Sequence, residues 1–438
     1  MSGVVPYSVL AEDPTTEALI YWIDDRDEAR GSEQTIRFGA DDADLDREVR
    51  DADPRAVPEL EGTYRYVAAI DGLVPNTRYH AEIREGRDVL ETCQWVTLPA
   101  SLDERPVRVV VHSDWHTDRE GSPYMNDPRD VDVIWAEEPD ISLFAGDYLT
   151  FAANRNEANA AEWIGIFREY YGRYDEQELV HTLAVPGNHE VGNHQWNGTK
   201  AERVAPDAGY YQFFYGHPRL LEPVGENYGQ ITVGDFLQIL ALDTHSAYPE
   251  DVGEWIGAHL DEEVTLCLPF QHEGFVQLGD RDANALRDAV RRAWFRTLYE
   301  APNVYFWQHG HVHTEGRTKP LQVVDERPAG DAFFELDDGY VVSAPTPAHG
   351  LSGFGEGWRD DRPRSDEWYV ERVQPAKSFT LVTLSSTSID LEVIDDEGEV
   401  LDSQTYRPDP ASIAEVSSDG RWTLSSRGRW STSASSPD

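Results

Sequence analysis

Short apolar stretches separated by polar turns set the rhythm of residues 1 to about 100: ALIYWID at 18–24, TIRFGA at 35–40, TYRYVAAI at 63–70, RYHAEI at 78–83 and CQWVTL at 93–98. Runs of this length, rich in β-branched and aromatic residues and bounded by turn formers, predict the strands of a β-sandwich. From about residue 106 the pattern changes. Near-continuous apolar runs (VRVVVHSD, ISLFAGD, HTLAVPGN, FLQILALD, VTLCLPFQ and NVYFWQHG) now alternate with helical stripes. That is the signature of strands covered on both faces in a layered α/β domain. Asn156–Tyr171, with Trp163, Ile166, Phe167 and Tyr170, and Asp282–Tyr299, with Leu286, Val290, Phe295 and Leu298, predict helices whose aromatic stripes pack on the sheets. After Gly339, the stretches YVVSAP, SFTLVTLSS, SIDLEVIDD and EVLDSQTYR predict strands that complete those sheets. The expected fold class is therefore α/β (α+β layered). It comprises an N-terminal β-sandwich at 1–100, a two-sheet β-sandwich flanked by helices at 106–407, and a Ser-rich tail at 408–438 with little structure.

Charge changes the picture of the surface. Thirty-seven Lys plus Arg stand against 82 Asp plus Glu, a formal net charge of −45, and only Lys200, Lys319 and Lys377 are lysines. With 39% hydrophobic residues and 13 Trp, 20 Tyr and 15 Phe, the chain has ample core, so the acidity belongs to a folded surface. Such a surface resembles that of halophilic proteins, whose self-repulsion is screened when the Debye length falls to roughly 3 Å in molar salt. It argues against binding to a nucleic-acid backbone, and an anionic substrate would need local positive charge. Cys93 and Cys267 lie far apart in apolar surroundings and read as buried thiols. The opening MSGVVPYSVLAEDP lacks a basic, apolar leader, and no apolar run reaches membrane-spanning length. A cytoplasmic protein is the expectation, with export by another route left open.

Five polar clusters end the predicted strands of the second region: Asp114-Trp115-His116, Gly146-Asp147, Gly187-Asn188-His189-Glu190, Gln271-His272 and His309-Gly310-His311-Val312-His313. Strand ends are where rigid sheets aim several side chains at one point. Carboxylate, imidazole and amide oxygen together are ligands for first-row metals such as Mn, Fe and Zn. Each cluster alone is a weak signal, but their order and spacing, with Asp147 33 residues after Asp114 and Asn188 41 after Asp147, resemble the calcineurin-like metallophosphoesterase superfamily.

That resemblance implies two divalent or trivalent metal ions. One would be held by Asp114, His116, Asp147 and His313, the other by Asp147, Asn188, His272 and His311, with a metal-bridging hydroxide as nucleophile. His189 would stabilise the transition state or protonate the leaving oxygen. The expected activity is hydrolysis of phosphate monoesters on small molecules; the alternatives are a phosphodiesterase of the same superfamily, acting on a cyclic nucleotide, nucleotide-sugar or phospholipid headgroup, and a non-catalytic binding protein on this fold. His272 competes with His245, at a neighbouring strand end, and with His259, which reads as a helix-surface histidine. Trp115 reads either as a pocket wall that stacks on a leaving group or as core. His245, His309 and His194 are candidates for supporting positions, His217 reads as structural, and Asn154 or Arg155 could contact phosphate.

Gly72-Leu73-Val74-Pro75-Asn76-Thr77-Arg78-Tyr79 resembles the turn and strand start of a fibronectin type III-like domain. A sandwich of that kind before such a catalytic region is similar to the purple acid phosphatases. Their pattern, however, has Gly where His116 stands and an iron-binding Tyr where Thr150 stands, so no coloured iron centre is expected. The segment 191–230, with Trp196, Tyr210, Tyr211, Phe213, Phe214 and Tyr228, reads as part of a cap over the site, with core packing the alternative for several of those aromatics.

Overall fold

The structure, a computed structural model, describes residues 3–26, 32–42, 44–50, 54–117, 130–150, 152, 156–169, 171, 178–191, 209–215, 227–245, 247–276, 285–343, 353–354, 366–407, 413–416, 422–424 and 431–433. His194, Trp196, His217, Asn154 and Arg155 lie outside them.

Two sheets form the second region. The strands Val107–His112, Ile141–Phe144 and His181–Ala184 run parallel and side by side. Ser378–Leu384 adds antiparallel to the first of them, followed by Ile389–Asp395 and Val400–Arg407. The facing sheet orders Gly229–Val233, Leu237–Leu242, Leu266–Glu273, Trp307–Gly310 and Gly353–Phe354, with the middle three parallel. Alternation along each strand divides its side chains between two cores. Val109 and Val111 meet Ile239, Ala241, Leu268 and Phe270 between the sheets, while Val110 points to the other face, into a core that includes Trp163, Ile166 and Phe167 of the helix Glu157–Glu169. On the far side, the helices Pro249–His259 and Ala285–Glu300 cover the second sheet through Val252, Ile256, Val290, Phe295 and Leu298. Helices flanking two packed sheets are the layered architecture the apolar pattern predicts.

The N-terminal region is a sandwich of Val4–Val9, Ala18–Asp24, Tyr64–Ile70 and Arg55–Ala56 against Arg47–Arg50, Thr35–Gly39, Arg78–Glu85 and Asp88–Val96, closed on Trp22, Phe38, Tyr66, Tyr79 and Trp95. It shares its first sheet with the second region. Val4–Val9 pairs parallel with His181–Ala184, Ser8 opposite His181 and Val9 opposite Thr182, so one sheet of eleven strands runs through both regions. The chain pattern misses this strand because Pro6 interrupts VVPYSV. Proline has no N–H for a ladder, and here it precedes the parallel pairing, which starts only at Ser8. Side chains tie the seam: Ser8 Oγ lies 2.9 Å from His181 Nδ1, the Tyr7 hydroxyl donates to the Phe214 carbonyl at 2.9 Å, and Arg65 donates to the Phe213 carbonyl.

The stretch from 408, expected to hold little structure, contributes three short strands, Ile413–Val416, Trp422–Leu424 and Ser431–Ser433. The last pairs with Val400–Arg407 and forms the edge of the large sheet, since an open sheet edge can recruit even a Ser-rich segment through backbone hydrogen bonds. In the segment read as a cap, the helix Gly209–Tyr215 turns Tyr210, Tyr211 and Phe214 into the core beside Trp163 and Phe167, and Tyr228 packs under the second sheet. Those four aromatics are core.

Candidate metal centre

Parallel strands from both sheets end at one place, and the polar clusters follow their last residues. The loop after Val107–His112 lies along the loop after Ile141–Phe144: Asp114 N–H donates to Gly146 O at 2.9 Å, His116 N–H to Asp147 O at 3.3 Å and Thr117 N–H to Tyr148 O at 3.0 Å. Asp114, His116, Asp147, His311 and His313 all have left-handed backbones, with φ of 57, 48, 64, 73 and 55°. In Asp114-Trp115-His116 and His311-Val312-His313 this backbone sends the outer residues to the site and the middle one to the core.

Two groups of potential ligand atoms result, Asp114, His116, Asp147 and His313, and Asp147, His272 and His311, each within 4.8 Å and all buried. Asp147 belongs to both. Its Oδ1 accepts the His189 N–H at 3.0 Å, while Oδ2 faces His272 Nε2 at 3.2 Å and His116 Nε2 and His189 Nε2 at 3.8 Å. Asp114 is divided in the same way. Its Oδ2 accepts from the Ser113 hydroxyl at 2.5 Å and the His311 N–H at 2.8 Å, leaving Oδ1 toward His313 Nε2 at 2.9 Å. Asn188 Oδ1 lies 3.2 Å from His272 Nε2, so the amide joins the second group.

These atoms suit a cation. A carbonyl only accepts, so His272 Nδ1, 2.6 Å from Ala145 O, carries the proton and Nε2 presents its lone pair to His311 Nδ1 at 3.1 Å, Asn188 Oδ1 and Asp147 Oδ2. Acceptors converging on one point, all buried except the half-buried Asn188, call for positive charge between them. Without an ion, protons on the histidines supply it. Burial is the largest influence on Asp114 and works against its ionisation, yet His313 and then His272 together hold the carboxyl at about 2; Asp147 is likewise well below its usual value because the surrounding histidines overcome its burial. Burial works against a charge on His272 too, but Asp147 lifts it to about 9, a proton on Nε2 then standing where an ion would replace it. His116 is the contrast: burial dominates and lowers it to about 3.

Two glycines make this closeness possible. Gly146 has φ +89°, and a Cβ there would sit 2.5 Å from Gly187 N; a Cβ on Gly187 would sit 2.1 Å from Asp147 Oδ1. Glu190 clamps the same loops. Its carboxylate accepts backbone N–H groups of Gly187 at 2.7 Å, Asp147 at 2.8 Å and Tyr148 at 2.9 Å. Burial, then the charge of Asp147, raises Glu190 to about 7 against those donors. Glu190 closes the Gly-Asn-His-Glu motif, but no sequence argument assigned it a task; an acidic residue directly after a candidate catalytic histidine was the available signal.

The remaining candidates separate. His189 is half-buried, its side chain 19% exposed, with Nδ1 donating to Thr150 O. His245 is buried, its ring 5.3 Å from that of His272 and 6.2 Å from that of His311, flanking the second group. His259 is a surface residue of its helix, stacked on Trp255 at 4.8 Å. His309 turns its ring against Gly274, where a Cβ would come within 2.5 Å, and its Nδ1 lies 3.0 Å from Gly310 O. Of the two alternatives for Trp115, pocket wall or core, its burial matches the core. It is fully buried, stacked on His112 at 4.9 Å with Phe144 edge-on at 4.8 Å, because the residue between two left-handed positions points away from the ligands. Tyr148 is also core, stacked on Phe144 at 3.5 Å.

Residues 107–315 match the calcineurin-like phosphoesterase family. Among solved structures, that of PhoD is 14% identical, covers 92% of this chain and 90% of its own, and superposes with a TM-score of 0.61, a likeness of fold alone. A conserved uncharacterized protein from Streptococcus pneumoniae TIGR4, a predicted phosphoesterase, is 11% identical over 69% of this chain and 98% of its own; at a TM-score of 0.26 it adds nothing to the argument. No curated protein matches the chain. Among the described residues no helix is long and apolar enough to cross a membrane.

Proposed function

We propose, from the premise that this chain is a metal-dependent phosphoesterase with a calcineurin-like domain at 107–315, that it binds two first-row metal ions and hydrolyses phosphate monoesters of small molecules. Asp114, His116, Asp147 and His313 would hold one ion, and Asp147, Asn188, His272 and His311 the other. The observation that carries this reading is Asp147: a single buried carboxylate oxygen that faces histidines of both groups. When bound, such a pair of ions supplies positive charge for phosphoryl oxygens and a nucleophile from water near neutral pH. In a chain of net charge −45, that local positive charge is what admits a dianionic monoester.

The protein's own groups do the rest. His189 keeps one proton on Nδ1 through Thr150 O and holds Nε2 3.8 Å from Asp147 Oδ2; carrying a second proton on Nε2, it would donate to the phosphoryl group or the leaving oxygen. Glu190 and the two glycines hold the Asp147 loop against the Asn188 loop, so the groups need no rearrangement to act together. We read 106–407 as one catalytic unit, since Ser378–Leu384 pairs with Val107–His112, and 1–100 as fibronectin type III-like from its strand order. The acidic surface is read as halophilic, and thermal stability that does not rise between 0.1 and 3 M KCl would remove that reading.

The test is hydrolysis of p-nitrophenyl phosphate and bis-p-nitrophenyl phosphate side by side in molar KCl, with Mn, after chelation and after metal return, together with metal counting. Two ions per chain and metal-restored turnover of the monoester support the proposal. One ion per chain overturns the two-ion centre, and preferential turnover of the diester overturns the substrate class.

A further inference from the structure

We propose that Thr150 is a positioning residue that holds two histidines of the site at once, His189 by its carbonyl oxygen and His116 by its hydroxyl. The inference rests on the two-metal reading above and deepens it. Thr150 closes the short turn after Gly146-Asp147-Tyr148 and is half-buried beside the cluster. Its carbonyl lies 2.5 Å from His189 Nδ1 and its Oγ1 lies 3.1 Å from His116 Nδ1. The two rings stand edge to face, 4.9 Å between centroids and 89° between planes, so neither can swing without meeting the other.

The carbonyl decides which nitrogen of His189 carries the proton, and the hydroxyl, which accepts from His116 Nδ1 once Nε2 is a ligand, fixes the angle of that ring. A carbonyl accepts only, so His189 carries its proton on Nδ1 and presents Nε2, which stands 3.8 Å from Asp147 Oδ2. His116 likewise turns Nε2 inward, 3.8 Å from Asp147 Oδ2 and 4.0 Å from Asp114 Oδ1, with Nδ1 left for the threonine hydroxyl. A ligating imidazole whose other nitrogen donates to an oxygen is fixed in tautomer and ring angle, and removal of such a partner typically costs 10–100-fold in metal affinity. The two tasks differ in what they ask of the sequence. Any residue supplies a carbonyl, whereas only Ser or Thr supplies the hydroxyl at this reach, so the side chain at 150 matters for His116 and the backbone for His189.

That asymmetry gives the test. Thr150→Val replaces the hydroxyl with a methyl of the same shape and keeps the carbonyl; Thr150→Ser restores the hydroxyl. In equilibrium dialysis against Mn, Thr150→Val is expected to weaken one of the two ions about 10–100-fold and leave the other as in the native chain, and Thr150→Ser to recover most of the loss. In spectra of the ¹⁵N-histidine-labelled full chain, the His116 Nδ1–H signal should shift or vanish in Thr150→Val while that of His189 persists. Thr150→Ala removes the same hydroxyl and is read identically where Val is not tolerated. Native-like affinity for both ions in the hydroxyl-free variants, or equal loss in Val and Ser, overturns the inference while the two-metal reading stands. Failure of the unmodified chain to bind two ions overturns the two-metal reading itself.

Discussion

Gly187→Ala isolates the contact between the Gly-Asn-His-Glu loop and the shared carboxylate. The backbone of Gly187 is not left-handed, so alanine adds no conformational penalty; the added methyl is the whole perturbation. It would stand 2.1 Å from Asp147 Oδ1, 2.7 Å from Asp147 N and 2.8 Å from Asp147 Cγ. Restoring ordinary contact needs a displacement of roughly an ångström, and the carboxylate is what gives way, since Glu190 ties Gly187 N and Asp147 N into one clamp. A misplacement of that size costs on the order of 10²-fold in rate, about 2.7 kcal/mol of transition-state stabilisation. Overpacking lowers fold stability by about 1–3 kcal/mol in addition. The assay is kcat/KM on p-nitrophenyl phosphate with metal content and a urea unfolding curve for each protein. Gly165→Ala is the control: it lies in the helix Glu157–Glu169 with nothing within 4 Å of its Cβ, and should leave turnover unchanged and stabilise by about 0.5–1 kcal/mol. Turnover and metal content within threefold of the unsubstituted chain in Gly187→Ala would refute the placement of Asp147 at the centre of the site.

Asp147→Asn should lower occupancy of both metals, measured by elemental analysis after dialysis, whereas His189→Ala should keep both and lose about 10²–10⁴ in kcat; a fully active His189→Ala enzyme removes its assigned role. Glu190→Gln puts an NH₂ where carboxylate oxygens now accept three N–H groups, so a urea midpoint lower by the equivalent of about 1–3 kcal/mol is expected, and an unchanged midpoint would deny the clamp. Burial holds His112 at about 3 and lowers His181, so the unfolded chain takes up protons near pH 6.5 that the native chain does not. The contribution of these two histidines to the stability of the chelated protein is thus full above about pH 6.5 and is lost as pH falls, by about 1.4 kcal/mol per unit for His112. His112→Gln should flatten that slope in urea titrations at pH 7, 6 and 5, and an unaltered slope contradicts the account.

The cluster of candidate ligands was legible because each motif follows a strand that reads on its own: VRVVVH, ISLF and HTLA are mostly apolar and end two to four residues before Asp114, Asp147 and Asn188. His272 was the exception. It sits inside the strand Leu266–Glu273, and nothing in the pattern of VTLCLPF separates it from His245. Only pairing with Trp307–Gly310 and the reach to Ala145 O resolve it. The seam between the two regions was illegible for a related reason. A strand pairing 173 residues away along the chain, Ser8 with His181, leaves no local trace, and Pro6 hides even the strand. Trp115 was left open because alternation along an extended chain says nothing about a turn with two left-handed residues. The two departures from the purple acid phosphatase pattern, His116 and Thr150, were visible singly; that they touch, at 3.1 Å, is information only the fold holds.

Left-handed backbone at five candidate ligands is costly, roughly 1–3 kcal/mol for each such non-glycine residue, and persists only where surrounding contacts over-determine it. Those contacts are present. Asp114 and His116 donate their N–H groups to the Gly146–Asp147 turn, His311 donates to the Asp114 carboxylate, and Val312 N–H reaches Gly310 O. Between each pair of strained residues stands a buried apolar one, Trp115 at 0% exposure and Val312 at 1%, whose packing resists relaxation of the turn. The candidate ligands are therefore set in place by the core and the backbone and need no ion to gather them, and the carboxylates keep their charge in the buried cluster because histidines face them. Trp115 thus acts on the site without touching it. Its indole stacks on His112 and meets Phe144 and Tyr148 edge-on, and those contacts fix the turn whose outer residues are Asp114 and His116. Loss of that anchor would release strain stored at both, so its cost would be read in metal affinity as well as in stability.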